Sequence, residues 1–125
     1  MSGAFLMLIE DDEPLAGLLS AHLRAHGYVV TVAPTAEAAQ ALLAERAHPD
    51  MILLDINLPG ETGWSVLRSE AFETAGRPPV VVASAMSVSP ARLREFGIAG
   101  YLPKPFGLDT LRSTIERVIG SEGDA

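Results

Sequence analysis

The chain has 125 residues, 48% of them hydrophobic, and no cysteine; this describes one domain able to bury about 65–70% of its unfolded surface, without disulfides or cysteine-based metal sites. The formal net charge is −7 and the nine Lys and Arg are scattered, so a phosphate backbone finds no basic cluster and nucleic acid is not expected as a partner. The opening "MSGAFLMLIEDD" lacks a basic n-region and no apolar run nears the ~18 residues of a membrane helix, so the chain reads as soluble and cytoplasmic, with no membrane partner.

Five short apolar runs alternate with five helical patterns. "AFLMLI" (4–9) predicts a buried strand, followed by an amphipathic helix from Pro14 to His26 that stops at Gly27. "YVVTV" (28–32) predicts the second strand, and Thr35 is an N-cap for an alanine-rich helix to about Arg46. "MILL" (51–54) predicts the third strand; after a Pro-Gly turn, a third helix runs from about Trp64 to Glu73. "VVVAS" (80–84) is the fourth strand, and Ser89-Pro90 opens a short fourth helix ending near Gly97. "GYLP" (100–103) is a weak fifth strand. Leu108, Leu111, Ile115, Val118 and Ile119 recur at helical spacing, which predicts a last helix from about Leu108 to Ile119. The core thus spans about 5–119, and 120–125 is a tail.

Strict strand–helix alternation with continuous apolar strands indicates an α/β fold with a parallel sheet covered on both faces. Right-handed crossovers favour the flavodoxin-like order 2-1-3-4-5. That order makes the fifth strand an edge, where Pro103 costs no ladder bond. It also sets strands one and three side by side.

Strand one ends in "EDDE", Glu10 to Glu13, and strand three runs into Asp55. Two carboxylates ~4 Å apart repel by about 4 kcal/mol at an effective dielectric near 20. Glu10, Asp11 and Asp55 therefore call for a hard divalent cation, and oxygen ligands with waters completing an octahedron describe Mg²⁺. Asp12 and Glu13 are better read as acids at a helix N-terminus. Strand four ends in Ser84, and Lys104 follows strand five in "LPKPF". A lysine and a hydroxyl beside a metal and carboxylates suit a phosphoryl group.

The stretches "LIEDDEP", "ILLDINLPGETG", "VVVASA" and "GYLPKPF" together resemble the response-regulator receiver domains of two-component signalling. The resemblance covers about Phe5 to Ile119, nearly the whole chain. It implies that Asp55 is the phosphoacceptor, taking a phosphoryl group from a histidine kinase or a histidine phosphotransfer protein. It implies Mg²⁺ bound by Asp11, Asp55 and the Asn57 backbone carbonyl, with Glu10 acting directly or through water. Lys104 would pair with phosphoryl oxygens, and the Lys104–Pro105 bond would be cis. Ser84 and Tyr101 would be the switch pair, and Pro14, Leu15, Leu18, Pro105 and Phe106 would dock the kinase. The downstream protein is not specified, and no enzymatic turnover beyond self-phosphorylation and self-dephosphorylation is implied. Ser84 stands where the family more often has Thr, and the segment from Ser84 to Lys104 is short, which predicts a clipped or loosened fourth helix.

Rival readings fit less well. An aspartyl phosphohydrolase of the haloacid-dehalogenase type wants an acid two residues after its nucleophile, where this chain has Asn57. A flavodoxin-like FMN carrier needs a hydroxyl-rich loop where the chain has four acids. A degenerate receiver binding partners without phosphorylation would not need Glu10, Asp11, Asp55 and Lys104 together. His22 and His26 lie four apart, a spacing that can hold a metal, but no third ligand is evident and both read as structural. His48 reads as a plain loop residue, and Trp64 as packing against the loop after Asp55.

Overall fold

All five apolar runs join one parallel sheet, in the order β2-β1-β3-β4-β5. The strands are β1 (Phe5–Ile9), β2 (Val29–Ala33), β3 (Met51–Asp55), β4 (Val80–Ser84) and β5 (Gly100–Pro103). The coordinates are a computed structural model, which describes residues 3–45 and 48–123. The helices are α1 (Glu13–Ala25), α2 (Ala36–Ala44), α3 (Gly63–Leu67), α4 (Glu70–Thr74), α5 (Pro90–Glu95) and α6 (Leu108–Gly123).

Strand periodicity sorts the core into two clusters. Leu6, Leu8, Met51, Leu53, Val81 and Ala83 face α1 and α6. Their alternating neighbours Met7, Ile9, Ile52, Leu54, Val80 and Val82 face α2, α3 and α4. The β1–β3 register pairs Ile9 with Leu54, so the next residues, Glu10 and Asp55, leave the sheet side by side. By the same parity both belong to the α1/α6 face, while Ser84, two residues beyond Val82, belongs to the other. The topology thus supplies the acidic pair from one face and the hydroxyl from the opposite one.

Capping fixes where the helices start. Asp12 accepts from the Leu15 N–H, Thr35 from Ala38 and Ser89 from Arg92, each satisfying an otherwise orphaned donor. Asp12 is therefore a cap rather than a member of the acidic cluster.

The expected third helix is two helices. Ser69 is extended, donates to the Val66 carbonyl at 2.6 Å and accepts from the Phe72 N–H at 3.2 Å. Its side chain ends one helix and caps the next, the competition with backbone bonding typical of serine. The last helix continues past Ile119 to Gly123. Arg46, the expected end of the second helix, lies outside the described residues, and the described helix stops at Ala44. The expected fourth helix is α5, six residues with none buried. No helix of the described residues is long and apolar enough to cross a membrane.

Candidate functional site

Four strand ends meet at one rim of the sheet. Glu10 and Asp55 are 3% and 5% exposed, and Ser84 is 2% exposed. Asp11 is exposed at the edge of the same group. One carboxylate oxygen from each of Glu10, Asp11 and Asp55 lies within 4.8 Å of the others.

Lys104 Nζ reaches in from beyond β5 and donates to Glu10 Oε1 at 2.7 Å and to Asp55 Oδ2 at 3.2 Å. The Asn57 N–H donates to Asp55 Oδ1 at 3.0 Å, so each oxygen of Asp55 holds one bond. Glu10 Oε2 accepts from the Asp12 N–H at 3.2 Å. Burial pushes the Glu10 carboxyl above its ordinary pKa, although the bonds from Lys104 and Asp12 pull it back in part. For Lys104 burial opposes the charge, but the bond and charge of Glu10, with those of Asp55, outweigh it and raise its pKa. Three carboxylates less one ammonium leave a formal charge of −2 at the rim. An all-oxygen donor set with that residual charge fits a hard divalent cation.

On the other face, Ser84 Oγ accepts from Met86 N–H at 3.1 Å and from Asn57 Nδ2 at 3.3 Å. The half-buried Tyr101 donates its hydroxyl to the Met86 carbonyl at 3.3 Å. The backbone N–H and carbonyl of Met86 thus contact the two residues of the expected switch pair. The Lys104–Pro105 bond is cis. Gly63 explains how α3 comes so near: a Cβ there would lie 2.7 Å from the Asp55 carbonyl oxygen and 3.0 Å from Ile56 Cα. A side chain would have to displace the backbone that carries Asp55.

Of the expected docking residues, Leu15, Leu18, Pro105 and Phe106 line one apolar groove of about 380 Å³ that also touches Lys104. Pro14 sits in the first turn of α1, exposed, and does not line it. Trp64 packs against the cluster that holds Ile56 and Leu58 of the loop after Asp55, and it has a second partner. It stacks on Phe96, at the end of α5, with ring centroids 4.9 Å apart. His22 is half-buried, and His26 is exposed with Nδ1 2.9 Å from the His22 carbonyl; among the described residues neither belongs to a group that could hold a metal.

Sequence reasoning missed the side chain of Asn57 and the backbone of Met86. An asparagine two residues past a strand-end aspartate is a common turn residue, and a backbone contact leaves no trace in residue type.

Residues 6–116 match the family described as the response regulator receiver domain. The chain belongs to that family. It is a receiver domain of the kind found in the response regulators of two-component systems. Among curated proteins it is similar to the uncharacterized transcriptional regulatory protein YvcP of Bacillus subtilis, 34% identical over 116 residues, covering 91% of this chain and 48% of that protein. The chain spans about half the length, or less, of the curated relatives it matches, 48% and 37% in the first two. Among solved structures it is similar to the non-phosphorylated HemR receiver domain of Leptospira biflexa, at 32% identity, TM-score 0.82, covering 93% of this chain and 94% of that one. It is also similar to the receiver domain of the sensor histidine kinase PA1611 of Pseudomonas aeruginosa, at 31% identity, TM-score 0.80, covering 95% and 99%. That structure has a magnesium ion coordinated in its active site cleft. Curated relatives are named as transcriptional regulators, so the exclusion of nucleic acid read from the charge is not supported.

Proposed function

We propose that this receiver domain accepts a phosphoryl group on Asp55, from a histidine kinase or histidine phosphotransfer protein, and changes its partner binding as a result. The observation that carries the reading is the environment of Asp55. A carboxylate 5% exposed is held on a strand end by a backbone N–H at 3.0 Å and an ammonium at 3.2 Å, with two further carboxylates beside it. Groups held this way need no reorganisation at the moment of reaction.

In the proposed step an Asp55 carboxylate oxygen attacks phosphorus as the bond from phosphorus to the imidazole nitrogen breaks. The imidazole leaves with the electron pair, and Asp55 becomes an acyl phosphate. Lys104 is placed to follow the charge from carboxylate to phosphoryl oxygen, and Ser84 to donate a hydrogen bond. Glu10, Asp11, Asp55 and the Asn57 carbonyl would hold Mg²⁺, whose contribution when bound is to neutralise phosphoryl charge. Ser84 and Tyr101, joined through Met86, are the proposed switch pair.

The test is labelling with acetyl phosphate and Mg²⁺, read by intact-protein mass spectrometry. Wild type should gain one acid-labile phosphoryl group and Asp55→Asn none. Equal labelling of both would remove Asp55 from the role.

A further inference from the structure

We propose that the Asn57 carboxamide is a positioning residue that aims the Ser84 hydroxyl at a phosphoryl group on Asp55; the proposal rests on the phosphoacceptor reading of Asp55. Asn57 is bonded to both groups at once. Its backbone N–H donates to Asp55 Oδ1 at 3.0 Å, and its Nδ2 donates to Ser84 Oγ at 3.3 Å. The two ends of one short residue therefore set the hydroxyl relative to the nucleophile.

A hydroxyl has two acceptor sites and one proton to donate. Ser84 Oγ spends both acceptor sites, on Asn57 Nδ2 and on Met86 N–H. No acceptor for its proton is found among the described residues; the residue is 2% exposed and lines a cavity of about 230 Å³. An anionic oxygen on Asp55 would offer that proton a charge-assisted bond. With Met86 alone the proton could take either of two directions. With Asn57 added it is left with one.

Serine makes this second bond matter. It lacks the second branch at Cβ that stiffens χ1 in threonine, so packing alone holds its hydroxyl less firmly. Asn57 itself is exposed. Its carboxamide is not wedged into the core, and truncating it leaves the packed interior intact.

The experiment is a double-mutant cycle on the full chain, with beryllofluoride and Mg²⁺ as the probe of the phosphorylated state. Affinity is read from Trp64 fluorescence, since Trp64 lines the same cavity as Asn57 and Ser84. Asn57→Ala and Ser84→Ala should each weaken binding by about three- to tenfold, the range of a single hydrogen bond. The double variant should bind no worse than Ser84→Ala. In ¹⁹F spectra of the complex, the fluorine resonance moved by Ser84→Ala should also move in Asn57→Ala, and the resonance moved by Lys104→Ala should stay in place. A melting curve checks that Asn57→Ala remains folded. Losses that multiply in the double variant would overturn the proposal, as would an unmoved fluorine resonance. So would tighter binding by Asn57→Ala, which would mean that the carboxamide restrains the hydroxyl. A wild type that takes up no beryllofluoride would defeat the phosphoacceptor reading first, and is told apart from the other outcomes by that alone.

Discussion

Lys104 and its two carboxylate partners show how unequal the members of one ionic cluster are. Glu10 is 3% exposed in its side chain, Asp55 6% and Lys104 18%, so the acids are the more deeply buried members and the cation is the one nearest water. An exposed ion pair contributes about 0–1 kcal/mol, whereas taking one partner from a buried pair costs about 3–5 kcal/mol because the other charge is stranded. This cluster lies toward the buried limit. Lys104→Met should therefore lower stability by roughly 2–4 kcal/mol, and added Mg²⁺ should restore part of the loss by supplying charge to the same carboxylates. Denaturant titration with and without Mg²⁺ checks both halves. A variant as stable as wild type would mean that Glu10 and Asp55 do not depend on the ammonium for their burial. The residue types needed here were legible in the sequence because like charges at neighbouring strand ends demand compensation. The direction of each hydrogen bond was not, since it depends on side-chain torsions that residue spacing does not set.

At the scale of elements, period and caps carried most of the information. Strand order followed from continuous apolar runs, and Thr35 and Ser89 marked their helices correctly because each offers an oxygen to an orphan N–H. The break at Ser69 was harder to see, because the apolar pattern of Trp64 to Phe72 runs through it and only the local serine bonds interrupt the helix. The attachment of α5 was not legible at all, since it joins residues far apart in sequence. With no buried residue of its own, α5 is held through side chains at its surface. Trp64 stacks on Phe96 at 4.9 Å, Arg92 lies over Trp64 at 5.6 Å and Arg68 over Phe96 at 5.1 Å. Glu95 sits 4.0 Å from Arg68 and 3.9 Å from Arg92. The short helix is thus braced to α3 by a four-layer stack, in place of a buried face. Trp64→Ala removes the central ring. An aromatic pair contributes about 0.5–1.5 kcal/mol beyond its area, so amide exchange over 90–96 should speed up by about two- to tenfold while β1 and β3 stay protected. Uniform acceleration throughout the chain would mean that Trp64 supports the whole fold, and no acceleration that α5 is held some other way.

For the whole molecule, the sheet sets the carboxylate cluster and an apolar groove next to each other. The proposed phosphoacceptor site opens at the rim, and the apolar groove between α1 and the segment after β5 begins at Lys104, which belongs to both. Leu18 is 55% exposed at that groove, on a helix where Leu15 is half-buried and Leu19 and Leu23 are buried. Large apolar side chains in a groove beside a reactive group are the kind of surface a partner helix covers. Docking there would bring a phosphohistidine to Asp55 without the helix entering the site. Leu18→Arg adds bulk and charge to the groove but touches neither Asp55 nor its hydrogen-bond partners. Transfer from a histidine kinase that phosphorylates the wild type should then fall by at least about tenfold, a loss of roughly 1.4 kcal/mol in docking. Labelling by acetyl phosphate, which needs no protein surface, should be unchanged. Rates by the two routes, measured on the same preparation, separate the possibilities. If both fall together the substitution has damaged the site, and if neither falls the kinase approaches Asp55 over another face of the sheet.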